Sequence, residues 1–280
     1  MRTKNELKIV ITPVCNYRCS FCNSDSLGRT TPVLLSPQDY RFVAKAMKKL
    51  WGWDSVEISG GEPLTSSIYR ETCELIANED INVATTTNAS LIVNSKELLV
   101  HNKQINVTLP TMNPTVYARI TGSPYPLNQI INTISAVRAC FPEMKIRLNS
   151  TVVRNENNSL QDMRELIQFA NTVGGEMNFS ELMFNNPYLV VPSAEIESNL
   201  ISLGFSQIDK SEEQTIFERN SERAIVTKVN VPHWNVILQP DGTALVGNEQ
   251  VHLLHAIQAQ NIRIFAQKVE LSFYSQKSVF

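Results

Sequence analysis

The chain has 280 residues, 42% of them hydrophobic, with a formal net charge of −2. That is enough apolar material to bury one full α/β core with an appendage, and no Lys/Arg-rich run supports a nucleic-acid or anionic-membrane partner. No stretch reaches the eighteen apolar residues of a membrane span, and Met1 to Glu6 lack the apolar core of a signal peptide, so the expected location is the cytoplasm.

In chain order, Leu7 to Thr12 reads as a buried strand leading into Cys15-Asn16-Tyr17-Arg18-Cys19-Ser20-Phe21-Cys22. Three of the five cysteines fall within these eight residues, spaced C-x3-C-x2-C. Thiolates crowd like this when one short loop wraps a soft metal centre. A cubane cluster usually takes four cysteines, so three leave one iron without a protein ligand, which is the mark of a catalytic metal site. Zinc, a disulfide and inert thiols are the alternatives. Zinc normally wants a fourth Cys or His close by, and an odd cysteine count without a secretory signal argues against a disulfide scaffold. Cys73 and Cys140 lie in amphipathic helical stretches, and Cys73 is expected in the core.

Ser36-Pro37-Gln38-Asp39 opens a helix, with Ser36 as N-cap and Pro37 at the first helical position. Val56 to Ser59 is a second strand, ending in Ser59-Gly60-Gly61-Glu62-Pro63. A helix from about Ser67 to Asn78 follows, then strands Val83–Asn88 and Ile105–Leu109. Asn113-Pro114 starts a short helix that Gly122 should stop, and Leu127, Ile130, Ile131, Ile134 and Val137 form the stripe of a longer one. Strand Ile146–Val153, a helix through Leu160 to Ala170 and strand Met177–Met183 complete six βα units. Such alternation means a parallel sheet, with chemistry at the C-terminal ends of the strands. Cys15, Gly60, Asn88 and Met183 all fall there.

Beyond Pro192 the pattern changes. Residues 195–220 look helical and polar, Ala224–Val231 and Val236–Val246 look like a strand pair, the second carrying a turn at Pro240-Asp241-Gly242-Thr243, and a last helix is expected over His252–Gln260. The expected organisation is a barrel domain over 1–192 and a small α+β cap over 193–280.

Cys15, Cys19 and Cys22, with Phe21 before the third cysteine and the Gly60-Gly61-Glu62-Pro63 turn about forty residues on, resemble the two signatures of the radical S-adenosylmethionine (SAM) superfamily. Thr86-Thr87-Asn88, Val107-Thr108-Leu109, Arg119-Ile120-Thr121-Gly122, Asn149-Ser150-Thr151-Val152-Val153 and Glu181-Leu182-Met183 extend the similarity, over residues 7–190, to the GTP 3′,8-cyclase group of that superfamily. The resemblance implies a partial (β/α)6 TIM-like barrel and one [4Fe-4S] cluster on the three cysteines. It also implies SAM held by Phe21, Gly60, Gly61, Glu62, Pro63, Thr87, Thr108, Asn149 and Met183. Reductive cleavage of SAM would yield a 5′-deoxyadenosyl radical that takes hydrogen from a small polar substrate, a nucleotide or nucleoside among the candidates, with electrons from a reductant such as flavodoxin or ferredoxin. A peptide-modifying enzyme and a non-catalytic electron-transfer or sensor protein are the other readings.

The substrate side departs from that group. Glu57 stands where the cyclases carry an arginine, Thr108 replaces a serine and Pro110 an aspartate. Between His233 and Gly247 the second-cluster cysteines and their arginines are missing, and the cysteine count alone excludes a second three-cysteine cluster. Lys8 and Arg147 match basic positions of the group. Together with Glu57 they are the candidate substrate residues, Glu57 toward a donor or cation and the two bases toward an anion. GTP cyclisation is not expected.

Overall fold

The computed structural model describes residues 7–22, 32–183, 187–228, 236–246 and 249–277. Six strands follow one another in sheet order and in parallel: β1 (Leu7–Val10), β2 (Ser55–Ser59), β3 (Asn82–Thr87), β4 (Asn102–Thr108), β5 (Lys145–Thr151) and β6 (Glu176–Ser180). Between them run α1 (Pro37–Trp51), α2 (Tyr69–Ala77), α3 (Pro114–Thr121), α4 (Leu127–Cys140) and α5 (Leu160–Thr172). The ends of the helices follow local chemistry. Ser36 and Asp39 form a reciprocal capping box at the start of α1, Pro37 sits in its first turn, and Gly52 closes it in the left-handed region. Asn113 caps α3, and Gly122 ends it at φ 56°.

The strands alternate between two environments. Leu7, Ile9, Val56, Ile58, Val83, Ile105, Val107, Leu148, Met177 and Phe179 are buried in one apolar core with Tyr40, Val43, Met47, Ile76, Ile130, Leu166 and Ile167 of the helices. Their neighbours in the strands, Lys8, Glu57, Thr86, Gln104, Thr108, Arg147, Asn149, Glu176 and Asn178, are half-buried and polar, and they occupy the opposite face. A sheet covered by helices on one side and polar on the other is the wall of an open barrel.

The segment after Pro192 differs from the sequence expectation. Of the stretch 195–220 only the part in α6 (Ser193–Ser202) is helical; Gly204 stops it at φ 86°, and an antiparallel hairpin of β7 (Ser206–Lys210) and β8 (Gln214–Arg219) follows. The β-branched and aromatic run Thr215-Ile216-Phe217 favours a strand, and its side chains are buried. Nor do the next two strands pair with each other. β9 (Glu222–Thr227) lies parallel to β6, and β10 (Val236–Leu238) lies parallel to β1 at the other side of the sheet. A continuous buried run, Ala224-Ile225-Val226, suits a parallel strand with neighbours on both sides. β11 (Thr243–Val246) and β12 (Glu249–His252) extend the β1 side antiparallel. The expected turn is present, with Asp241 Oδ1 accepting from Thr243 N at 2.9 Å. The helix expected over 252–260 shortens to α7 (Leu254–Gln258), followed by α8 (Ile262–Lys277). The single sheet thus runs β12-β11-β10-β1-β2-β3-β4-β5-β6-β9-β8-β7 and does not close. His233 and Gly247, the landmarks for the missing second cluster, lie outside the described residues. Among the described residues no helix is long and apolar enough to cross a membrane.

Candidate active site

Because β1 to β6 are parallel, the loops after their last residues gather at one end. Backbone pairing between β1 and β2 continues past both strands: Ile11 N donates to Ser59 O (3.0 Å), Gly61 N to Thr12 O (2.8 Å) and Glu62 N to Val14 O (2.8 Å). The cysteine loop and the glycine turn are therefore zipped together by main chain. This closeness requires glycine. A Cβ on Gly60, which has φ 150°, would lie 2.4 Å from Thr12 O, and one on Gly61 would lie 2.3 Å from Val14 O.

The loop is held from its other side by α3. Arg18 N donates to Thr121 O and Ser20 N to Ile120 O, so the C-terminal carbonyls of the helix are satisfied by the loop. Gly122 makes room, since a Cβ there would meet Arg18 at 3.1 Å. The Tyr17 and Tyr117 hydroxyls meet at 2.9 Å, and the Tyr17 ring stacks on Tyr125.

Cys15, Cys19 and Cys22 are half-buried thiols, none of them in a disulfide. Burial, and after it the neighbouring Cys22 and Cys15, push the Cys19 thiol up to about 12. Mutual repulsion of three thiolates is the cost a cationic metal centre removes. Among the described residues, no group of three or more His, Cys, Asp or Glu side chains converges on a single-ion position. A cubane holds its thiolates on separate irons and asks for wider spacing than one ion does. Three thiols outside any disulfide on one loop, which is held from both sides by backbone, fit it.

Glu62 is the hub of the turn. Its carboxylate is 1% exposed and accepts from Thr87 Oγ1 (2.7 Å), Asn88 N (2.7 Å) and Leu64 N (3.2 Å). Burial raises its pKa to about 7, against the lowering effect of these donors. From Asn88 a second link returns to the cysteine loop: Asn88 Nδ2 donates to Asn16 Oδ1, Asn16 Nδ2 to Ser90 Oγ, and Ser90 Oγ to Asn88 Oδ1. Asn16 and Ser90 were not singled out from sequence. Their only signal was position, beside a cysteine and just past a strand end.

Of the other sequence candidates, Pro63 opens a buried 3-10 turn and Thr87 is buried, spent on Glu62. Thr108 and Asn149 are register partners at the ends of β4 and β5. Phe21 is half-buried; Met183, three residues past β6, is 56% exposed. The substrate candidates sit earlier along the strands on the polar face, Lys8 and Glu57 together on β1 and β2 and Arg147 apart on β5. Lys8 Nζ is 3.1 Å from Glu57 Oε1, and Thr86 Oγ1 donates to the same oxygen at 3.0 Å. Burial works to raise the Glu57 carboxyl, but Lys8, Thr86 and Arg147 together hold it below the usual range. Arg147 is bound by Glu176 at 2.6 Å. The three candidates thus take part in two ion pairs within the protein, Lys8–Glu57 and Arg147–Glu176. Cys73 is buried and Cys140 exposed at the end of α4, both remote in sequence from the loop.

Residues 9–170 match the radical SAM superfamily. A probable GTP 3′,8-cyclase of Pyrobaculum aerophilum is 30% identical over 185 residues, 65% of this chain and 59% of that protein. The chain thus spans about three fifths of the length of this curated relative. Streptococcus suis SuiB bound to S-adenosylmethionine superposes with TM-score 0.68 at 16% identity, covering 90% of this chain and 64% of SuiB. The same protein bound to its precursor peptide SuiA gives 0.66 at 16% identity, over 91% and 64%. At that identity the likeness is one of fold. The matched region contains the cysteine loop and the glycine turn in their zipped arrangement, and the chain belongs to the radical SAM superfamily, whose enzymes use a [4Fe-4S] cluster and S-adenosylmethionine.

Proposed function

We propose that this protein is a radical SAM enzyme with one [4Fe-4S] cluster on Cys15, Cys19 and Cys22, acting on a small polar substrate in a biosynthetic pathway. The observation that supports the reading is the backbone zipper from Ile11–Ser59 to Glu62–Val14, which holds the start of the cysteine loop against the glycine turn. When bound, the cluster supplies the electron for reductive cleavage of SAM, and the protein positions the reactants and excludes water. Phe21, Gly60, Gly61, Glu62, Pro63, Thr87, Thr108, Asn149 and Met183 are the residues assigned to SAM. Glu62 acts in part indirectly, since its carboxylate is spent on Thr87, Asn88 and Leu64 and keeps the turn rigid. The half-buried polar face of β1 to β6 holds the substrate. A flavodoxin- or ferredoxin-like reductant in a cytoplasmic setting completes the scheme, with residues 1–192 as the barrel and 193–280 as its extension.

The test is anaerobic reconstitution followed by chromatography for 5′-deoxyadenosine under dithionite with SAM alone. Slow formation is expected. A full cluster with no cleavage would instead support an electron-transfer or sensor role. Acceleration by peptides but by no metabolite would move the substrate class toward that of SuiB.

A further inference from the structure

The polar face carries a row of charges that pair with one another across neighbouring strands. Lys8 and Glu57 are register neighbours on β1 and β2, with the ion pair at 3.1 Å. On the other side Arg147 pairs with Glu176 across β5 and β6. Arg223, next along on β9, reaches Glu176 at 3.5 Å and Glu218 of β8 at 3.7 Å. Between the two groups the row is neutral: Thr86 accepts from Asn106 at 3.1 Å, and Asn106 accepts from Gln104 at 2.7 Å. Each of these three cations therefore has a carboxylate on a neighbouring strand.

Nearer the strand ends a second row is made only of amides and hydroxyls. Asn178 Nδ2 donates to Asn149 Oδ1 at 3.2 Å, and Thr227 Oγ1 donates to Asn178 Oδ1 at 2.7 Å. Each amide has two N–H donors, so these contacts leave hydrogen-bonding capacity unspent. Asn178 lies level with Asn149 in the register of β5 and β6, and Thr227 stands two residues further along β9, opposite Ser180.

A phosphate entering this face would have to take Lys8 from Glu57, or Arg147 from Glu176. Glu57 and Glu176 are only 18% and 25% exposed at their side chains, so either theft strands a carboxylate that water reaches poorly. A ligand of hydroxyls and amides pays no such penalty and finds donors and acceptors in the second row.

We propose that the paired charges of the inner row exclude polyanions, and that the substrate is an uncharged polar molecule bound by Asn178 and Thr227, a nucleoside, sugar or amide without phosphate on this face. The inference rests on the proposed function for the identity of the site, but its test does not need turnover.

The probe is inorganic tripolyphosphate, titrated calorimetrically into the reconstituted protein at low ionic strength, with GTP in parallel. The wild type shows no saturable binding of either. Glu57→Gln, which removes the carboxylate paired with Lys8, and Glu176→Gln, which removes the one paired with Arg147 and leaves Arg223 with Glu218, each gain tripolyphosphate binding by about tenfold or more over the wild-type limit. Adding Lys8→Gln to Glu57→Gln cancels the gain. Circular dichroism checks each variant's fold, and either one alone suffices if the other misfolds. Saturable tripolyphosphate or GTP binding by the wild type that Lys8→Gln or Arg147→Gln removes overturns the proposal. So does the lack of any gain in folded Glu57→Gln and Glu176→Gln. Loss of SAM cleavage in the same wild-type sample would remove the proposed activity and leave the binding result standing.

Discussion

The Thr87 hydroxyl donates to the Glu62 carboxylate at 2.7 Å, joining the end of the third strand to the glycine turn across 25 residues. This bond sits in a site where burial lifts Glu62 to about 7 from 4.5. The folded protein therefore holds that proton more tightly than the unfolded chain. The stabilisation from this group is complete below about 4.5 and is lost as pH rises through about 7, on the order of a few kcal/mol across the window. Glu62→Gln, which cannot titrate, should flatten that part of the stability curve. Urea melts of the metal-free protein from pH 4.5 to 7.5 measure it, and an unchanged slope in Glu62→Gln would assign the pH dependence elsewhere.

Reconstituted protein should carry about four irons per chain, the content of one cubane. Cys15→Ala, Cys19→Ala or Cys22→Ala should each abolish the cluster, because the three thiols share one loop. Cys73→Ala removes a fully buried side chain and should lower stability by about 1–3 kcal/mol while leaving iron content intact. Cys140→Ala, at an exposed helix end, should change neither. Iron assay and melting curves separate these cases, and a stable eight-iron form would contradict the single cluster.

Two glycine substitutions distinguish close approach from backbone conformation. Gly61→Ala places a Cβ 2.3 Å from Val14 O, so the cysteine loop must move; loss of both cluster assembly and SAM cleavage is expected. Gly52→Ala meets nothing within 4 Å but keeps φ 72°, and should cost only about 1–2 kcal/mol with the cluster retained. Iron retention in Gly61→Ala would show that the zipper can open without harm.

Asn88→Ala deletes the amide that links Asn16 and Ser90 to the end of the third strand. The loop should still bind iron but hold it less tightly. Release to a chelator should quicken about fivefold or more, equivalent to about 1 kcal/mol for a lost hydrogen-bonded link. Asn16→Ala should act in the same direction, and stopped-flow chelation compares them.

Local chemistry made much of this molecule legible in advance. The Ser36-Pro37-Asp39 box, the Gly122 stop and the alternating strands and helices up to Ser180 follow from short-range preferences. The cysteine loop and the glycine turn could be placed at one end of the sheet because parallel strands leave no other arrangement. Pairing between distant segments was not legible. The strand Glu222–Thr227 joins the sixth strand and Val236–Leu238 joins the first, at opposite sides of the parallel sheet. Nothing local in a strand of three to six residues names its partner. The charges behave likewise: Lys8, Glu57 and Arg147 were visible as chemistry, but Glu176 and Arg223 became their neighbours only through strand register. Composition and short spacing determined which groups this protein possesses. The register of the folded sheet decided which of them neutralise each other, because an ion pair depends on distance in space and not on distance along the chain.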